Sequence, residues 1–236
     1  MYLRNYFLST KDFFYNVILI FPLLIAYEIL GLTVNYNLPF EIRNGADVLL
    51  RQLFLSFGEF GHISLFGFLL IIPFLFFMNG KKNRLKDNIK ISYLILIIIE
   101  GLLFGVLLNI IFINTPNLLI LGKASLGIYE KLYLAIGAGI FEELIFRFFL
   151  IGLLSYLIIK IFKLDSILIL ILLIFISSFI FSGFHYIGSF GDIFNWKTFL
   201  LRFFAGCYLG ILYVFRGFGV CVISHIIYDF IIIKGV

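Results

Sequence analysis

Apolar side chains fill most of this chain in long runs, separated by short polar breaks that carry most of its charges. A helix needs about 20 apolar residues to cross the hydrocarbon core of a bilayer. Seven runs come close to or exceed that length: residues 13–34, 62–78, 91–113, 132–159, 167–187, 198–215 and 218–233. In lipid every backbone N–H and C=O must be satisfied within its own segment, so the pattern predicts an all-α polytopic transmembrane helical bundle of about seven spans. The fourth run is longer than a bilayer core requires and should tilt or protrude. Residues 48–57 form a shorter amphipathic stretch, better suited to the interface than to spanning. The first run is too long for a secretory signal, contains Glu28 and lacks a small-residue cleavage site, so it is read as an uncleaved span.

Composition agrees with the pattern. With 63% hydrophobic and 13% charged residues among 236, the chain has too little polar surface for a water-soluble globule. Residues 1–236 therefore read as a single integral membrane domain, with N-terminal spans of unclear role (1–131) ahead of a C-terminal core (132–233). The net charge of +5 does not indicate nucleic acid, because the basic residues cluster at the ends of apolar runs. The densest basic loop, residues 79–90, is expected to be cytoplasmic. That choice puts the N-terminus inside as well, with ten cations inside and six outside the membrane of a bacterial or archaeal cell. Cys207 and Cys221 lie in apolar runs, form no C-x-x-C pair and read as small packed side chains. The small residues Ala135, Gly137, Ala138 and Gly139, and the pair Gly206 and Gly210, suit close helix packing.

Charge inside the spans changes the picture most. An ionisable side chain at the bilayer centre costs about 2.5–3.5 kcal/mol on insertion scales, so each asks for a partner or a task. Nine qualify: Glu28, Glu100, Glu142, Glu143, Arg147, His185, Arg202, His225 and Asp229. Glu143 and Arg147 stand four apart, meet on one helical face and neutralise each other. Glu142 lies about 100° around the helix and is left without a local cation, the situation of a general base or a metal ligand. His225 and Asp229, also four apart, can touch each other or act on one ligand. His185 closes the fifth run, four residues after Phe181. A lone histidine such as His62, at the mouth of the second run, reads as an interfacial hydrogen-bonder. Glu28, Glu100 and Arg202 could form a separate structural network.

Three motifs, in order and on three separate predicted spans, carry a resemblance: E-E-x-x-x-R at Glu142, Glu143 and Arg147, F-x-x-x-H at Phe181 and His185, and H-x-x-x-D at His225 and Asp229. Together they resemble the CPBP (Abi) family of intramembrane peptidases, which includes type II CAAX prenyl endopeptidases and bacteriocin-processing or immunity proteins. The resemblance covers residues 132–233 and implies endoproteolysis of a membrane-associated peptide or protein C-terminal segment. It implies that Glu142 with His185 activates water, that His225 with residue 229 stabilises the oxyanion, and that Glu143 and Arg147 orient the site. The chain departs from the prenyl endopeptidases at Asp229, where they carry Asn. An ionised carboxylate cannot donate to an oxyanion, so Asp229 is either protonated or orients His225. No cofactor is required on this reading; the alternative is a zinc ion on Glu142, His185, His225 and Asp229, although H-E-x-x-H spacing is absent. Two other functions remain compatible with the residues. One is a proton-coupled transporter whose relay includes Glu28 and Glu100, though no broken helix pair or inverted repeat supports it. The other is a non-catalytic immunity protein.

Overall fold

The computed structural model describes residues 2–11, 13–36, 38–39, 41–56, 58, 90–112, 127–163, 166–188 and 191–234. Eight helices account for most of them: α1 (Tyr2–Thr10), α2 (Phe13–Val34), α3 (Gly45–Leu55), α4 (Ile91–Phe112), α5 (Ile128–Phe162), α6 (Ser166–Phe184), α7 (Trp196–Arg216) and α8 (Phe218–Lys234). No strand occurs among the described residues. Helices α2, α4, α5, α6 and α7 contain segments long and apolar enough to cross a membrane, and α8 is a shorter apolar helix. Six of the seven expected spans are thus helices with nearly the expected limits. The other, residues 62–78, lies outside the described residues, as do His62 and nearly all of the basic loop. The chain is a multi-pass integral membrane protein built as a helical bundle.

Helix α5 is the long one, on the order of 50 Å if every residue rose as in an α-helix. Two stretches of it, Ala138–Glu142 and Leu144–Leu153, are π-helical instead. Such i→i+5 turns are rare and concentrate at functional sites. They occupy the part of the chain that carries Glu142, Glu143 and Arg147.

Helix α8 is central, packed against α2, α4, α5 and α7. Its closest neighbour is α4, where two glycines four apart let the backbones meet. A Cβ at Gly101 would lie 2.5 Å from Ile223 Cβ, and one at Gly105 would lie 2.6 Å from the Ser224 carbonyl oxygen. Gly139 of α5 lies against Ile226 on another side of α8. Gly139 belongs to the small-residue run suited to close packing, and the glycine pair on α4 is a further close contact outside it. Gly206 and Gly210 of α7 pack as expected, against Ser178 and Phe181 and against Ile174 and Ile151.

The N-terminal helices, of unclear role in the sequence, are tied to this core by polar contacts. Asn16 Oδ1 accepts the Gly219 N–H at 2.6 Å, just inside α8. Glu100 of α4 pairs with Arg216 at the end of α7 and accepts the Tyr6 hydroxyl at 2.6 Å. Glu28 of α2 pairs with Arg51 and Arg43. The structural network proposed among Glu28, Glu100 and Arg202 is therefore corrected: Arg202 pairs with Asp192, and each acid takes a different arginine. The physical reason is reach. Arg43, Arg51 and Arg216 have side chains long enough to reach carboxylates on neighbouring helices from their own positions beside the apolar runs.

The α4–α8 contact yields a stability test. Gly101→Leu is expected to destabilise the protein in detergent by about 1–3 kcal/mol through overpacking. Leu103→Ala, on the exposed face of α4, is expected to change stability by less than about 0.5 kcal/mol. Thermal unfolding of the two variants beside the parent checks this, and equal melting temperatures for parent and Gly101→Leu would contradict the packing account.

Candidate active site

Two helices and one turn bring the ionisable side chains together. Glu142, Glu143 and Arg147 project from the π-helical part of α5, His225 and Asp229 from one face of α8, and His185 from the turn after α6. Helix α3 adds Asn44, the residue before its first turn.

Glu143 is the hub. It is completely buried, as is Arg147, and the Arg147 guanidinium lies 3.1 Å from Glu143 Oε1. The same oxygen meets His225 Nδ1 at 2.7 Å, while the Cys221 thiol donates to Oε2 at 2.9 Å. Arg147 is held from its far side as well, because Nη2 donates to the Gly206 carbonyl at 3.3 Å and the guanidinium stacks 4.5 Å from the Phe181 ring centre. Partners for the pair come from α5, α6, α7 and α8, although Arg147 Nε and Nη1 are buried with no hydrogen-bond partner among the described residues. The expected Glu143–Arg147 pairing is present. Cys221, read as a packed apolar residue, is corrected to a hydrogen-bond donor; its place among aliphatic neighbours in sequence gave no sign of the carboxylate.

His225 takes its orientation from this hub. A carboxylate only accepts, so the Nδ1–H points at Glu143 and Nε2 faces the other way. There it lies 3.8 Å from Glu142 Oε2 and 3.6 Å from Asp229 Oδ2. Both separations exceed a hydrogen bond, and an intervening oxygen atom can bridge such gaps. The anticipated direct contact between His225 and Asp229 is thus a loose one across the helix face.

Glu142 is 6% exposed and does not share Arg147 with Glu143. Its Oε1 accepts from Asn44 Nδ2 at 2.8 Å. The sequence left Glu142 without a partner because that partner is 98 residues away, before a helix start that looked merely interfacial.

His185 stands on the other side of Phe181, whose ring lies edge-on to both histidines, 5.0 Å from the His185 ring centre and 6.1 Å from that of His225. Its Nδ1 donates to the Phe181 carbonyl at 2.9 Å. In the neutral ring this leaves Nε2 with the lone pair, available as a base or a ligand. The segment after His185 is stapled down: the Asp192 N–H donates to the His185 carbonyl at 2.9 Å, and Asp192 pairs with Arg202. Arg202 therefore serves the loop that carries His185.

Residues 124–231 match the family of Rce1-like type II CAAX prenyl endopeptidases. The match covers all three motifs and agrees with the resemblance read from them. No curated protein and no solved structure matches the chain. Within the prenyl-endopeptidase-like region lie Glu142, Glu143, Arg147, His185, His225 and Asp229, whereas Asn44 lies outside it. The match supports a membrane protease. As for the zinc alternative, no group of three or more His, Cys, Asp or Glu side chains among the described residues is arranged to hold a metal ion.

The hub gives the next expectation. Arg147→Met leaves the buried Glu143 with only His225 and the Cys221 thiol as partners and is expected to cost about 3–5 kcal/mol of stability. Chemical unfolding in detergent micelles measures it, and a loss below about 1 kcal/mol would show that the ion pair does not hold the bundle together.

Proposed function

We propose that the protein is an intramembrane endopeptidase that hydrolyses a peptide bond in a membrane-associated peptide or protein C-terminal segment. The observation that carries this is the convergence of Glu142 Oε2 and Asp229 Oδ2 on His225 Nε2 at 3.8 and 3.6 Å, within the region that matches the prenyl endopeptidases.

In the proposed reaction Glu142 takes a proton from water, assisted by His185 through its Nε2, and the oxygen attacks the scissile carbonyl carbon. The carbonyl oxygen becomes an oxyanion, and His225, protonated on both nitrogens, donates to it through Nε2. Collapse of the tetrahedral intermediate breaks the C–N bond. The proton held by Glu142 passes to the leaving amine, and a free carboxylate and a free amine result. Glu143 keeps the His225 ring oriented and, with Arg147, belongs to the frame. For Asp229 the geometry favours the orienting role: it faces the nitrogen that donates, steadies the imidazolium charge and leaves His225 as the donor. These roles are filled by side chains alone, and no step is assigned to a metal. The cytoplasmic placement of the N-terminus belongs to the same proposal and rests on the charge bias of the loops.

The transporter alternative loses its main attraction, because Glu28 and Glu100 are engaged with Arg43, Arg51 and Arg216. Cleavage of a panel of quenched-fluorescent peptides with apolar C-terminal segments, prenylated and not, tests the proposal with purified protein in lipid nanodiscs. Glu142→Gln is expected to slow cleavage by at least about 100-fold while the protein remains folded, and a strong zinc chelator is expected to leave the parent rate unchanged. Full activity in Glu142→Gln would overturn the role of Glu142, and loss of activity with chelator would overturn the metal-free mechanism. No cleavage by the parent across the panel would favour a non-catalytic immunity function.

A further inference from the structure

Asn44 is the polar group that reaches the proposed base from outside the matched region, and its amide can point only one way. Its Oδ1 accepts the Ala46 N–H at 2.9 Å as the N-cap of α3. Turning the amide over would aim Oδ1 at the Glu142 carboxylate and the NH2 group at a backbone N–H, two repulsive contacts in place of two hydrogen bonds. The cap therefore commits Nδ2 to Glu142 Oε1.

The backbone around Asn44 is held just as firmly. Arg43 pairs with Glu41, Glu28 and Asp47, and the buried Asp47 accepts the Tyr27 hydroxyl at 2.9 Å and pairs with Arg51. Gly137, one turn before Glu142, gives α3 room to approach: a Cβ there would meet Tyr27 at 2.6 Å and Asn44 Cβ at 3.2 Å. On its other side, a Cβ at Gly45 would lie 3.5 Å from the ring of Phe184, the neighbour of His185. Asn44 thus sits between the elements that carry the proposed water-activating pair.

We propose that Asn44 is a positioning residue for Glu142. By binding Oε1 it removes the rotational freedom of a long side chain and turns Oε2 towards His225 and the attacking water. The inference rests on the reading of Glu142 as general base, and it gives α3 a catalytic purpose besides its place in the bundle.

Asn44→Ser separates the two tasks of the residue, since serine caps a helix comparably but is too short to reach Glu142. Against whichever panel peptide the parent cleaves, Asn44→Ser is expected to keep the parent's KM while kcat falls about 10- to 100-fold, with the melting temperature lowered only by the loss of the Glu142 contact. Asn44→Ala is expected to show the same kinetic loss with a lower melting temperature. Unchanged kcat in Asn44→Ser, beside an inactive Glu142→Gln, would overturn the positioning role alone. A fully active Glu142→Gln would overturn the base assignment and the positioning role with it. A thermal-unfolding cycle of Asn44→Ser, Glu142→Gln and the double variant reads the contact without any substrate. Non-additive shifts support it, and additive shifts overturn it.

Discussion

The buried carboxylate of Glu143 is the constraint on which the rest of the site depends. A charge without water around it demands compensation, and here compensation comes from Arg147 on the same helix and from His225 and Cys221 on α8. Meeting that demand fixes how α5 and α8 sit against each other and which nitrogen of His225 faces Glu142. Arg147 carries the constraint onward, to the Gly206 carbonyl of α7 and the Phe181 ring of α6. Phe181 in turn holds His185 through its carbonyl. The framing residues and the proposed chemical residues thus form one connected system, in which a structural need orients the reactive groups.

A second layer of pairing keeps the remaining charge away from that system. Glu28, Glu100 and Asp192 each bind an arginine near a helix end, so none competes for Arg147. One of these pairs, Glu100 with Arg216, also ties the early part of the chain to the late part. Arg216 anchors Glu100 and Tyr6 at the turn between α7 and α8, and Arg43 and Arg51 bind α3 to Glu28 of α2. Close packing supplies the rest, because glycines on α4 and α5 let α8 run against both. In a membrane, where helix association gains little from the hydrophobic effect, such close approach and polar pairing are the available sources of cohesion.

The architecture was legible wherever it depends on local length and spacing. Helix α2 has the limits its apolar run implied, and the four-residue spacing of Glu143 and Arg147 became a real ion pair. What escaped was long-range. The arginine partners of Glu28 and Glu100 follow from the reach of long side chains, which hydropathy does not encode. The π-helical turns of α5 have no composition signature. Asn44 carried a helix-capping signal, with Asp47 three residues on, but a capping pattern says nothing about what the other end of the amide will meet. Cys221 was hidden for a similar reason, since its neighbours in sequence are glycine, valine and isoleucine.

The coupling of Glu143 to His225 is the central claim, and nitrogen-15 NMR of histidine-labelled protein in lipid bilayers tests it most directly. Three histidines contribute, and the His225 Nδ1 resonance should have the position of a strongly hydrogen-bonded N–H. Replacement of Glu143 by Gln should move that resonance and leave His185 in place. A His225 signal indifferent to the substitution, or one that moves only together with His185, would contradict the hub.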